Sequence, residues 1–393
     1  MSGVLVAGVG MTPFGKRTGE SLGDLAKTAA ESALLDAGLA ASDVGMVYFT
    51  NGCDGLLSGQ ECIRGEVALK HTGLRGKPIV NVENACASGS SGLYLASMSI
   101  RSGEHDVALV VGAEKMTECD KFSVFQAMSA GSDLEALDEL RERVGGAPNR
   151  TVFMDIYASS ARAYMAKTGA TQEDFATVAV KSRRAASLNP IAQYRNPTSI
   201  EDVLNGRLIV DPLTLSMCSP IGDGGAAVLL VSESFARKRG LSGVRLLACS
   251  LSTGLIEKDQ PSAASRAAHM AFEKAGLGPE DVDVVEVHDA TASAEVMLYE
   301  DLGLCRPGEG VAYLHSGATG LGGRQAVNSS GGLLCRGHPI GATGCAQIVE
   351  LTQQLRGLSG ARQREGARIA LAENGGGYMG YDAAAAVVTL LGI

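Results

Sequence analysis

The chain has 393 residues, 45% hydrophobic and 20% charged, enough for two or three globular domains. A net charge of −9, from 34 basic and 43 acidic residues, and the absence of Trp argue against a nucleic-acid or anionic-membrane partner. No apolar run approaches the roughly 20 residues of a membrane span. The nine cysteines include no CxxC pair and no cluster with zinc-site spacing. Reduced thiols, no metal and a cytoplasmic location are therefore expected. The N-terminal segment has no basic leader and the terminal Leu-Leu-Gly-Ile is no targeting signal, in keeping with that location.

In chain order, residues 1–10 read as a buried first strand. Residues 23–49 hold a helical pattern, a glycine cap at Gly38, a short turn through Asp43 and a strand-like run ending at Phe49. Residues 84–94, Asn-Ala-Cys-Ala-Ser-Gly-Ser-Ser-Gly-Leu-Tyr, place Cys86 just before a helical stretch that closes at Gly103. The run Val107–Val111 reads as the next strand. An irregular segment follows, with Lys181, Arg183, Arg184 and Arg195. These charges read as a solvated face or as the border of an entrance for a phosphate-bearing substrate. Residues 262–287 then repeat the 23–49 pattern, with Gly276 as cap and Val284–Val287 as strand. His338 precedes Gly341-Ala-Thr-Gly344 and a helical stretch, as Cys86 precedes Gly89-Ser-Ser-Gly92, and Ile369–Leu371 is the closing strand.

Short apolar runs alternating with helices predict an α/β fold with a buried parallel sheet. The repeat predicts two βαβ-rich halves related by a pseudo-twofold axis. Cys86 and His338 become equivalent positions at two converging helix N-termini. Free N–H groups there would favour a thiolate and a developing oxyanion. The glycines would let a substrate approach the backbone. The alternative for Cys86 is a small core residue, and for His338 a hydrogen-bonded core histidine.

Together these segments resemble the thiolase family along the whole chain. The similarity is carried by Asn84-Ala-Cys86-Ala-Ser-Gly-Ser, Gly112-Ala-Glu-Lys-Met116, Pro220-Ile-Gly-Asp-Gly-Gly-Ala-Ala227, Asn328-Ser-Ser-Gly-Gly332, Gly337-His-Pro-Ile-Gly-Ala-Thr-Gly344 and Gly375-Gly-Gly377. The resemblance implies a five-layered αβαβα architecture and a homodimer or higher oligomer. It implies an N-terminal half over residues 1–116, completed by about 205–240, an inserted loop domain over 117–204 and a C-terminal half over 241–393. Acyl-CoA and CoA are the implied substrates, with no bound cofactor, and no CoA contact is assigned. Cys86 resembles the family's nucleophile and His338 the histidine that activates it.

His288-Asp289 stands where typical thiolases carry an Asn-Glu pair, which is similar to the sterol-carrier-protein-type branch. By that resemblance His288 donates to the thioester oxyanion, with a strand-end structural histidine as the alternative. Asp289 orients a neighbour or forms a turn. The backbone N–H groups of Cys86 and Gly375 resemble the second oxyanion hole. The family's second cysteine is missing. Glu373 stands at its usual place, and Ala290 stands where the sterol-carrier type carries one. Glu373 becomes the acid/base, or else a carboxylate that caps glycine N–H groups. Tyr378, Cys218 or a water could substitute for it. Chains with these departures resemble those that pair with a small OB-fold zinc-ribbon subunit and act on bulky or aryl acyl-CoA, of the benzoylsuccinyl-CoA type. The expected function is CoA-dependent cleavage or formation of a β-ketoacyl-CoA through a Cys86 thioester. The alternatives are a retro-aldolase or C-acyltransferase acting with such a partner, and an inactive lipid-binding relative.

Overall fold

The computed structural model describes residues 3–147 and 150–393. Met1 and Ser2, where the sequence reading began its first strand, lie outside them, as do two residues of the 117–204 segment. The strands are β1 (Val4–Met11), β2 (Met46–Thr50), β3 (Ile79–Val82), β4 (Val107–Glu114), β5 (Leu208–Val210), β6 (Leu213–Thr214), β7 (Gly224–Ser232), β8 (Val244–Thr253), β9 (Val284–Glu286), β10 (Ala326–Val327), β11 (Ile369–Gly376) and β12 (Ala385–Gly392). Strands β5 and β6 form a hairpin, and the other ten run in the order β10-β9-β11-β12-β8-β1-β7-β4-β2-β3.

That order reads the same from both ends once β1 is matched to β8, β2 to β9, β3 to β10, β4 to β11 and β7 to β12. The strand directions match as well. Strand β2 is parallel to β3 and β4, while β7 is antiparallel to β4 and β1. Likewise β9 is parallel to β10 and β11, while β12 is antiparallel to β11 and β8. The sequence repeat is therefore a repeat of topology. Within the sheet, among the described residues, the halves pair at Leu5–Arg245 and Val6–Val244.

The sheet is mixed, which corrects the expectation of a parallel one. Strands buried on both faces read as continuous apolar runs whatever their direction, so the sequence pattern could not discriminate. Burial on both faces is visible along β4. Val107, Leu109 and Val111 pack under the helix Leu22–Ala37, while Ala108 and Val110 face the helices Ser88–Ser102 and Thr343–Leu355. In the other half Ala370 and Ala372 of β11 face the same two central helices. Leu371 faces an outer layer with Val296, Phe175 and Ala267. Helix, sheet, helix pair, sheet and helix give the five layers of a thiolase fold.

The segment between β4 and β7 does not stand apart. Its helices Val152–Thr168 and Gln172–Ser187 bury Ala158, Ala161, Phe175 and Val178 in the core of the C-terminal half. Lys181 forms neither a solvated face nor an entrance. Its Nζ lies 2.5 Å from Glu295 and donates to the Val327 carbonyl at 3.0 Å. Among the described residues no helix is long and apolar enough to cross a membrane.

Candidate active site

The two central helices meet end to end, and glycine makes this possible. A methyl group on Gly344 would lie 2.4 Å from Ser90 N, and one on Gly89 2.9 Å from Cys345 N. These glycines thus admit a neighbouring helix, where the sequence reading had them admit substrate. Cys86 occupies the turn from β3 into the helix Ser88–Ser102. The turn is tight. Ala85 takes a left-handed φ of 47°, a strain of about 1 kcal/mol for a residue with a Cβ. Ser88 Oγ holds the turn by accepting from Asn84 N–H at 2.9 Å and donating to Ala85 O at 2.6 Å. The glycine run at the end of β11 packs on the other side, where a Cβ on Gly376 would lie 2.3 Å from Asn84 O.

Cys86 Sγ and one ring nitrogen each from His288 and His338 lie within 4.8 Å of one another. The two imidazoles meet edge to face, with centroids 5.0 Å apart. Hydrogen bonding assigns opposite tautomers to them. Thr343 Oγ1 donates to Pro339 O at 2.9 Å, so it accepts from His338 Nδ1–H at 2.7 Å. His338 Nε2 is left with its lone pair. Asn374 Oδ1 accepts from Ser90 Oγ at 2.9 Å, and Asn374 Nδ2 donates to His288 Nδ1 at 3.0 Å. With the Asn374 amide in this orientation, His288 Nε2 carries the proton. One histidine is set to take a proton and the other to donate a hydrogen bond.

Both rings are held neutral. Burial, then the His288 ring and the Arg336 guanidinium, lower His338 well below its ordinary value of 6.5. Burial, then Arg336, lower His288 to about 4. For the thiol, burial works against the ionisation that a helix N-terminus would favour. Burial and the Glu114 carboxyl push Cys86 up to about 12, against the N–H groups of Gly377 and of Cys86 itself. The N-terminal N–H beside His338 is also already used. Glu114 accepts from Gly341 N at 2.8 Å, as well as from Gly52 N, Cys53 N and Asn51 Nδ2. The resting pair is thiol and neutral imidazole, and the proton moves as sulfur attacks.

Deeper contacts fix the two histidines against each other. The buried ion pair Glu286–Arg336, at 2.9 Å, stands two residues before each of them. Asp289 accepts from Leu333 N and Leu334 N and caps the short helix Gly332–Arg336 that leads to His338. Glu373 Oε2 accepts from His288 N–H at 2.9 Å, and burial raises its carboxyl from 4.5 to about 8. The Glu373 side chain lies beneath Gly375, where a Cβ would be 3.5 Å from Oε1.

A cavity of about 320 Å³ opens over Cys86, His288, His338, Ala290 and Gly375, roofed by Met128, Phe153, Met154 and Tyr157. A second, of about 440 Å³, shares His338 and Ile340 and is bordered by Lys121, Arg150 and Arg207. Cys218 lines the second cavity, and its Sγ faces Thr214 O at 3.5 Å. Tyr378 packs away from both, with Leu140, Val152 and Ile156, and its hydroxyl meets Arg143. Sequence reasoning assigned no role to Thr343, Asn374 or Tyr157. Thr343 and Asn374 stood inside or beside quoted motifs, whereas Tyr157 carries no local signal.

The N-terminal domain model of thiolases matches residues 4–211, and the thiolase C-terminal domain-like model matches residues 256–390. The chain belongs to the thiolase family. It is 39% identical to acetyl-CoA acetyltransferase of Methanothermobacter thermautotrophicus, over 97% of this chain and 98% of that one. Sterol carrier protein 2 of Oryctolagus cuniculus is 37% identical over 98% of this chain and 71% of its own length. The benzoylsuccinyl-CoA thiolase subunit BbsB of Thauera aromatica is 38% identical, covering 90% and 89%. Among solved structures, the Ltp2-ChsH2(DUF35) aldolase superposes with a TM-score of 0.82 at 26% identity, covering 99% of this chain and 97% of that one. The chain is an enzyme of this family, an acyltransferase.

Proposed function

We propose that the protein cleaves a bulky or aryl β-ketoacyl-CoA with CoA, through an acyl thioester on Cys86. The opposite tautomers of His338 and His288 around one thiol support this reading. The CoA arm enters past Lys121 and Arg207, whose charges suit phosphates, and past Arg150, which is paired with Asp155. The acyl group lies under Phe153, Met154 and Tyr157. His338 Nε2 takes the Cys86 proton as Sγ attacks the β-carbonyl. The N–H groups of Cys86 and the 375–377 glycine run receive that oxyanion. The Cα–Cβ bond breaks, and His288 Nε2–H holds the enolate oxygen of the leaving CoA ester. Glu373, protonated below about pH 8, gives Cα its proton. Incoming CoA returns a proton to Glu373 as its sulfur takes the acyl group. Cys86 recovers its proton from His338.

The insertion over residues 117–204 supplies Met128, Phe153, Met154 and Tyr157, so in this reading it sets acyl selectivity. A homodimer and a cytoplasmic location complete the proposal. Intact-mass measurement after mixing with a β-ketoacyl-CoA should show one acyl group, mapped to Cys86. Turnover with no adduct at any time point would remove the thioester.

A second reading is aldol-type cleavage with an OB-fold zinc-ribbon partner. The likeness to the Ltp2-ChsH2(DUF35) aldolase favours it, as does the lack of a thiol at Ala290 and Glu373. Its mark would be cleavage of a β-hydroxyacyl-CoA that survives Cys86→Ala.

A further inference from the structure

We propose that Cys86, His288 and His338 also form a reversible, inhibitory site for a borderline-soft divalent cation, Zn²⁺ foremost. The three ligand atoms lie within 4.8 Å of one another. A tetrahedral zinc ion, with bonds of about 2.3 Å to sulfur and 2.0–2.1 Å to nitrogen, needs ligand separations of roughly 3.3–3.6 Å. Closing that gap takes side-chain rotations on the order of 1 Å, and the rings already border an open cavity.

The second observation is the support behind each ring. Metal-binding histidines have their remote nitrogen held by a hydrogen bond, which aims the other nitrogen. Here Nδ1 of His338 is held by Thr343, and Nδ1 of His288 by Asn374. With both Nδ1 atoms engaged, the Nε2 atoms are the ones left for a metal. His338 can bind as it stands. His288 must move its proton from Nε2 to Nδ1, which Asn374 accommodates by turning its amide so that Oδ1 accepts. Ser90 Oγ pairs with either end of that amide, as donor or as acceptor. The support therefore serves both states.

The donor set is one sulfur and two imidazole nitrogens, with no carboxylate oxygen. Such a set selects Zn²⁺ or Co²⁺ over Mg²⁺ or Ca²⁺. On binding, Cys86 releases its S–H proton to solvent and Sγ bonds the metal, with no change of oxidation state. Water from the cavity takes the fourth position. The nucleophile is then masked, and any reaction that needs the thiol or either ring stops until the metal leaves. None of this depends on the acyl-transfer reading, because the site is tested by binding alone.

The test titrates the full chain with Zn²⁺ alone by calorimetry, and with Co²⁺ by absorption. One equivalent of Zn²⁺ should bind, with affinity reduced at least about 100-fold in Cys86→Ala and in His338→Ala. Co²⁺ should give a thiolate-to-metal charge-transfer band that Cys86→Ser removes. Zn²⁺ should slow iodoacetamide labelling of Cys86, and Mg²⁺ should not. Zinc affinity unchanged in Cys86→Ala, no charge-transfer band in the native chain, or unprotected labelling at saturating Zn²⁺ would each overturn the proposal. The band and the labelling are read on the native sequence, so they stand even where a variant melts.

Discussion

The two halves of the molecule share strand order, strand direction and a central helix, yet they arm the site differently. The N-terminal half offers one reacting atom, Cys86 Sγ, on a turn strained at Ala85. The C-terminal half offers both imidazoles and the Glu373 carboxyl, each held by side-chain or backbone hydrogen bonds. The thiol sits among N–H groups and small residues, while the histidines are tied to a buried network through Glu286, Arg336 and Asp289. The difference shows what duplication of a scaffold preserves. The placement of a central helix behind each residue is retained, although the one after His338 opens with a 3₁₀ turn, and what each half packs behind its turn differs.

Substitutions at four positions test this division, from the largest expected effect to the smallest. Cys86→Ala removes the thiol of the N-terminal half and, if the proposed thioester route operates, should lower CoA-dependent cleavage by a factor on the order of 10⁴ or more. A rate within tenfold of the native chain would show that the C-terminal half suffices alone. His288→Ala deletes the oxyanion donor of the proposed mechanism and should cost about 10²–10³ in kcat. His288→Asn, which restores an N–H donor, should recover part of that loss. Equal losses in the two variants would mean that the ring acts by packing.

Glu373→Gln separates stability from activity. The Glu373 carboxyl is raised in the folded state, from 4.5 to about 8. Its contribution to stability is therefore present below pH 4.5 and is lost as pH rises through about 8. The neutral variant should be the more stable by about 3 kcal/mol at pH 7 and under about 1 kcal/mol at pH 5, while C–C cleavage falls. Denaturant midpoints at the two pH values read the effect, and a pH-independent difference would contradict a buried, protonated carboxyl. Thr343→Val leaves His338 Nδ1–H without an acceptor. It should lower kcat about tenfold, with KM unchanged. A change in KM alone would place Thr343 in binding.

Much of this was legible in the sequence because the repeat was. Gly38 and Gly276 cap equivalent helices, and matching Cys86 to His338 placed the two helix ends together before any coordinates. The glycine-bearing motifs marked the site but misled about its purpose. A glycine read from sequence shows that something comes close. Here a neighbouring helix N–H comes close, and only three-dimensional packing could say so. The state of the thiol was likewise out of reach, since a helix N-terminus and a histidine argue for ionisation while burial argues against it. Burial is a property of the assembled layers. Strand direction was lost for a similar reason, because two covered faces erase the alternation that marks a one-sided strand. Lys181 looked like surface charge because its partner, Glu295, is far away in the chain.

The Glu114 carboxyl takes three hydrogen bonds from its own half and one, from Gly341, from the other. That division has a temporal meaning. On a ribosome adding about 5–20 residues per second, the thiol emerges tens of seconds before its base. Through that interval the Glu114 carboxyl stands in the nascent half without the Gly341 N–H, and neither His288 nor His338 has been made. In the finished chain the Glu114 carboxyl is thus a fastening between the two halves, placed beside both the Cys86 turn and the Gly341 turn that follows His338.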